Sequence, residues 1–276
     1  MEKKREHKFS RSHPVLASVL FAIGSLILTE LLTHLVNFPI AALIPGYPPA
    51  KGIAGVLVSC AVVLWLFRLW FKPEFQGFLG GKPKAAMIPV AAYFVYLIVS
   101  VIQSCFTGDR FAMPDLTRMF SAAAAGFREE TAFRGMIIPI MMFGAKSKKS
   151  IFRACAVSAG IFGVIHIFNV IAGAPLLATL LQVLDAAAVG IALSAIYLSC
   201  GNILPSMFMH FIHDVAALSA VDSTSSGGII TADADLGSYL NLMFCMILLG
   251  FSLWYILKKE NTENILEIRN QKWLIQ

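Results

Sequence analysis

F-R-E-E-T-A-F-R, from Phe127 to Arg134, places four ionisable groups inside an otherwise apolar run: Arg128, Glu129, Glu130 and Arg134. Upstream lies Ser121-Ala-Ala-Ala-Ala-Gly126, and downstream Gly135-Met-Ile-Ile-Pro-Ile-Met-Met-Phe143. The flanks read as a membrane helix. A charged side chain at the centre of such a helix costs about 2.5–3.5 kcal/mol on insertion scales, so residues of this kind are rarely idle. Glu130 and Arg134 stand in the i, i+4 relation and can pair on one helix face. Glu129 points about 100° away, one residue's rotation in a helix of about 3.6 residues per turn. One acid is thus offered a counter-ion and its neighbour is left free.

The rest of the chain agrees with a membrane setting. Of 276 residues, 58% are hydrophobic and 14% charged, and the mean hydropathy is +0.75; soluble domains carry about 25% charged residues. Apolar runs recur along the whole length, which predicts an all-α polytopic transmembrane bundle and a single integral membrane domain over residues 1–276. About eight spans are expected: Pro14–Val36, Gly52–Phe71, Ala85–Phe106, Leu116–Phe143, Ile151–Ala172, Pro175–Ser199, Ile203–Val221 and Leu236–Leu257. The cluster of prolines from Pro39 to Pro49 is expected to end the first. The basic arm Met1–His13 precedes an apolar run too long for a signal-peptide core, so that run reads as an uncleaved first span.

The net charge of +6 comes from lysines and arginines in short loops and the tail, as the positive-inside rule places them, and this excludes a nucleic-acid partner as its explanation. Basic residues concentrate in the N-terminal arm, the Lys72–Lys84 loop, the Lys146–Lys149 loop and the tail after Lys258, whereas the Val221–Asp235 loop has none. Both termini are therefore expected on the cytoplasmic side. The five cysteines are scattered, without a C-x-x-C pair, and read as small packing residues.

Further polar groups interrupt later spans. Phe162 and His166 are i, i+4 and share a face, with Asn169 one turn on as a hydrogen-bonding neighbour for the histidine. His210, His213 and Asp214 fall within one short segment. They could be metal ligands, an oxyanion clamp, a proton relay, or a polar seam holding helices together. Gln182 and Asp185 suit helix–helix hydrogen bonding, or a counter-charge for Arg134. If these faces meet in one wet cavity, the natural chemistry is hydrolysis. A free carboxylate takes a proton from water, a histidine holds that water or a metal, and donors stabilise the oxyanion. No serine or cysteine stands visibly beside a histidine as a nucleophile. The competing classes are a proton-coupled transporter using Glu129, His166, Asp185 and His210 as a relay, and a non-enzymatic scaffold or immunity protein that shields a partner.

E-E-x-x-x-R at Glu129, Glu130 and Arg134, F-x-x-x-H at Phe162 and His166, and H-x-x-x-D at His210 and Asp214 occur in this order on successive spans. The set resembles the CAAX-protease and bacteriocin-processing (CPBP, or Abi) family of intramembrane proteases, which includes type II CAAX prenyl endopeptidases and bacteriocin self-immunity proteins. The motifs place a catalytic core at about 116–221. The resemblance implies that Glu129 is the general base, that His166 holds the same water or a metal, that His210 and Asp214 line the oxyanion side, and that Glu130 and Arg134 are the structural pair. It also implies a multi-pass protein of the bacterial plasma membrane, in contact with the lipid bilayer. The substrate would be a peptide or membrane protein, lipidated or not. A zinc ion on Glu129, His166 and His210 and a metal-free glutamate mechanism are both open, since H-E-x-x-H is absent. The last motif ends in Asp, where the family has Asn; a carboxylate is a poor oxyanion donor and a better metal ligand or histidine orienter. His213 lies outside the pattern.

Overall fold

The long first helix shows how this bundle is adapted to lipid. It exposes Leu16, Leu20, Ile23, Ile27, Leu31, Leu35 and Phe38, and it buries Ser18, Ser25, Thr29, Thr33 and Asn37. The exposed set recurs every three or four residues and the buried set every four or seven, so the apolar stripe faces outward and the small polar stripe faces the protein. That is the reverse of a soluble helix and the expected arrangement where helices associate through close packing and interhelical hydrogen bonds. Thr33 and Ser59 share such a bond at 3.0 Å.

A computed structural model describes residues 8–48, 51–71, 78–108, 110–220 and 232–273. In chain order, α1 (Lys8–Ser12) leads into α2 (Pro14–Leu43). There follow α3 (Ile53–Phe71), α4 (Met87–Thr107), α5 (Leu116–Ala132), α6 (Ile138–Met142), α7 (Lys148–Ile165), α8 (Leu176–Cys200), α9 (Leu204–Ser219), α10 (Leu236–Leu257) and α11 (Lys259–Ile268). The described chain is helical throughout, apart from loops and an isolated bridge between Phe111 and Ala220. Ser147 caps α7 and Asp235 caps α10, each in a reciprocal pair with the serine three residues on.

Among the described residues six helices, α2, α3, α4, α7, α8 and α10, are long and apolar enough to cross a membrane. The protein is an all-helical, multi-pass integral membrane protein. The fourth and seventh expected spans differ from the rest. Leu116–Phe143 is not one α-helix: α5 ends after 17 residues, a π turn occupies Phe133–Ile137, and α6 adds one more turn. Ile203–Val221 is the 16-residue α9. The charged and imidazole side chains that mark these segments also lower their hydropathy. Two boundaries shift. Pro39 lies inside α2, near its last turn, where it forfeits the bond its N–H would have made to the Leu35 carbonyl. Asn37 anchors that end, donating to the Gly52 carbonyl (2.8 Å) and accepting from the Gly55 N–H (2.8 Å). The expected span Ile151–Ala172 tightens into a 3-10 turn from His166 to Val170.

Helix α8 is the hub, packed against α7, α9, α10 and α4. Its second half, from Ala188 to Cys200, is buried on every side, as suits a helix enclosed by others. At Gly190 a side-chain carbon would meet the Cβ of Ala159 on α7 at 2.9 Å, so this glycine sets the close approach of the two helices. Most of the expected Val221–Asp235 loop lies outside the described residues. Cys60, Cys155, Cys200 and Cys245 are buried and Cys105 is exposed, and none of them is in a disulfide.

Candidate active site

Helices α5 and α9 run antiparallel and are joined along their length. At one end the Ala112 N–H donates to the Ser219 carbonyl (2.9 Å), and Arg118 donates to the Leu218 carbonyl (3.1 Å). Farther along, Gly126 lies against the α9 backbone: an added Cβ would stand 3.0 Å from the Phe211 nitrogen. This close approach carries His210 to the two glutamates.

The pair predicted from spacing is present and wholly buried. Arg134 donates to Glu130 Oε1 at 2.6 Å, and its other terminal nitrogen donates to the Gly190 carbonyl at 2.9 Å. The guanidinium sits over the Phe162 ring, 4.9 Å from its centroid. Arg134 belongs to the π turn, and the Phe133 carbonyl there accepts the Ser158 hydroxyl (2.8 Å). Phe162 also meets His166 and His210 edge-on, at centroid distances of 5.2 and 5.6 Å. The phenylalanine of the F-x-x-x-H motif is thus the wall that both imidazoles and the arginine share.

His210 Nδ1 lies 3.0 Å from the same Oε1 of Glu130. Its Nε2 faces Glu129 Oε2 at 3.6 Å and Asp214 Oδ1 at 3.7 Å. Glu130 is therefore committed to an arginine and a histidine, while the Glu129 side chain keeps 27% of its surface. The acids adjacent in sequence are separated in environment, as the helical rotation predicts.

His166 Nδ1 is 2.9 Å from the Phe162 carbonyl. A carbonyl only accepts, so Nδ1 carries the proton and Nε2 presents a lone pair. Glu129, His166, His210, His213, Asp214 and Asp185 all line one cavity of about 1070 Å³. The faces of α5, α7 and α9 do converge.

Among the described residues no three His, Cys, Asp or Glu side chains gather closely enough to hold a metal ion. Glu129, His166 and His210, the expected zinc ligands, share the cavity without forming a three-ligand cluster.

Other expectations are corrected. Asp185 is not the counter-charge of Arg134; it accepts from Asn241 on α10 (3.0 Å), while Arg134 is satisfied by Glu130 and Gly190. Asn169 does not hold His166; it donates to Gln182 (2.9 Å), because the 3-10 turn rotates it toward α8. Gln182 and Asp185 are thus both used in hydrogen bonding between elements. Arg128 pairs with Glu30 of α2, a partner 98 positions away that no local spacing reveals.

Three residues escaped the sequence reading: Tyr96 and Asn241 in the cavity wall, and Tyr93 buried behind it. Tyr93 meets His213 Nδ1 at 2.9 Å, and Tyr96 lies 3.0 Å from Cys245 Sγ and stacks on His213. A signal existed. Tyr93, Tyr96, Ser100, Gln103 and Thr107 recur every three or four residues along the apolar α4, the same inward polar stripe as on α2.

No curated protein and no solved structure matches the chain. Residues 112–216 match the family model described as type II CAAX prenyl endopeptidase Rce1-like. That segment runs from just before α5 into α9 and contains every motif residue from Glu129 to Asp214, in agreement with the CAAX-protease resemblance of its motifs.

Proposed function

We propose that the protein is an intramembrane endopeptidase in which Glu129 activates the attacking water. The observation that carries this reading is the division of labour between the adjacent acids. Glu130 is fully buried and bonded to Arg134 and His210, whereas Glu129 faces the cavity that His166 also lines. A carboxylate free of a strong partner, in a cavity walled by apolar helices, suits a general base.

The reaction follows from the side chains. Water donates one hydrogen bond to the Glu129 carboxylate and another to the lone pair of His166 Nε2. Glu129 takes a proton as the water oxygen bonds to the peptide carbonyl carbon, and the carbonyl π electrons move onto oxygen. The oxyanion forms on the side of the cavity lined by His210 and Asp214 of α9. The tetrahedral intermediate then collapses: the C–N bond breaks, its electrons pass to nitrogen, and the Glu129 carboxylic acid returns the proton to the departing amine. Asp214, as a carboxylate 3.7 Å from His210 Nε2, orients that imidazole and does not itself donate. The substrate class supported is a membrane-associated peptide, reaching the cavity from the interface.

The test is cleavage of a peptide panel, with and without attached lipid, by purified protein in liposomes. Glu129→Gln is expected to lower kcat by at least about 100-fold with an unchanged melting temperature, and the parent is expected to keep its activity in chelator. A parent that cleaves nothing, or a Glu129→Gln variant as active as the parent, overturns the reading.

A further inference from the structure

The cavity contains a second imidazole whose proton is fixed by its surroundings in the opposite sense to that of His166. His213 lies on α9 one turn from His210. Its Nδ1 is 2.9 Å from the Tyr93 hydroxyl, and its ring stacks on Tyr96 at a centroid distance of 6.2 Å and an interplanar angle of 21°. Tyr93 has no exposed surface. A hydroxyl sealed in this way must donate its proton, and among the described residues His213 Nδ1 is the acceptor within reach. Nδ1 therefore holds the lone pair, and the neutral ring carries its proton on Nε2. That nitrogen has no hydrogen-bond partner among the described residues, and the ring lines the same cavity as Glu129 and His166.

Hydrolysis requires both polarities: an acceptor for the water and a donor for the oxygen that gains charge. His166 presents a lone pair. Glu129 and Asp214 are carboxylates. His210 has its Nδ1 occupied by Glu130 and its Nε2 between two acids. We infer that His213 is a further catalytic residue, whose Nε2–H, aimed by Tyr93 and braced by Tyr96, donates to the carbonyl oxygen of the bond being cut. The hydrogen bond strengthens as the carbonyl π electrons move onto that oxygen, and no proton leaves His213. The inference rests on the proteolytic reading above. It gives a donor to a site whose last motif residue, Asp214, is a carboxylate.

The experiment uses the full-length protein with three variants. His213→Ala is expected to lower kcat by about 100-fold with little change in KM. His213→Gln, which keeps an N–H donor, is expected to stay within about tenfold of the parent. Tyr93→Phe, which frees the ring to take either tautomer, should fall between them. A purely structural histidine would instead give losses that follow melting temperature, with the glutamine variant no better than alanine. As a readout independent of turnover, ¹⁵N-histidine NMR of the parent, with His213 assigned by its absence in His213→Gln, is expected to show Nε2 protonated and Nδ1 bare. A proton on Nδ1, or a His213→Ala variant with parental kcat, overturns the donor role while leaving the Glu129 base standing. A parent without cleavage in the panel removes the proteolytic reading and this role together.

Discussion

Helices α2 and α5 are built from opposite materials and touch along part of their length. The first is 30 residues long and carries its apolar side chains outward. The second has 17 residues, hides small ones such as Ala122, Ala123 and Gly126 against its neighbours, and buries a full charge at Glu130. The outer helix needs only to satisfy lipid on one side and a neighbour on the other. The inner one is specified by a few exact partners. The contrast teaches that sensitivity to substitution should rise steeply from the lipid face to the α5–α9 seam, even where the outer residues are larger.

The largest expected effect is at the ion pair. Arg134→Leu leaves Glu130 buried with a histidine alone, and breaking a buried pair from one side costs about 3–5 kcal/mol. Thermal unfolding in detergent should show a drop of that order, and near-parental stability would break the comparison. Next is Gly126→Val. A Cβ there already meets the Phe211 nitrogen at 3.0 Å, so the added methyl groups should push α9 away at a cost of about 1–3 kcal/mol. Because the same contact positions His210, peptide cleavage should fall with stability, which unfolding and activity assays on one preparation can establish. The smallest effect is on α2. Thr33→Val removes the hydroxyl bonded to Ser59, and interhelical bonds of this kind average about 0.6 kcal/mol. Leu35→Ala on the lipid face should fall within about 0.5 kcal/mol. If unfolding ranks these two above Gly126→Val, the bundle is held from its outside and the contrast is wrong.

What could be read from the chain follows the same division. Periodicity and length locate the lipid-facing helices well, and Leu236–Leu257 is a helix over the expected residues. The Glu130–Arg134 pair is legible because it is local, four residues apart on one helix. Features that depend on a distant partner were not. Nothing near Arg128 announces Glu30, and nothing near Asp185 announces Asn241, since each pairing exists only once the helices have packed. Pro39 misled because losing one helix bond does not end the segment, which Asn37 ties to the start of α3 through Gly52 and Gly55. The inward tyrosines of α4 were readable as a polar stripe, yet aromatic rings in a membrane run pass easily for core.

The π turn at Phe133–Ile137 has a consequence for how this region tolerates change. A turn of that kind is an α-helix with one residue too many, and such turns are frequent at functional sites. Removing a single residue from it would restore the ordinary winding and leave α6 nearly in place, because a π turn and an α turn with one residue fewer pass through nearly the same rotation. Deleting Phe133 would shorten the Glu130–Arg134 spacing and break the pairing, whereas deleting Met136 would leave that spacing intact. At this one point position decides more than number: the same one-codon deletion should be harmful on one side of Arg134 and tolerated on the other.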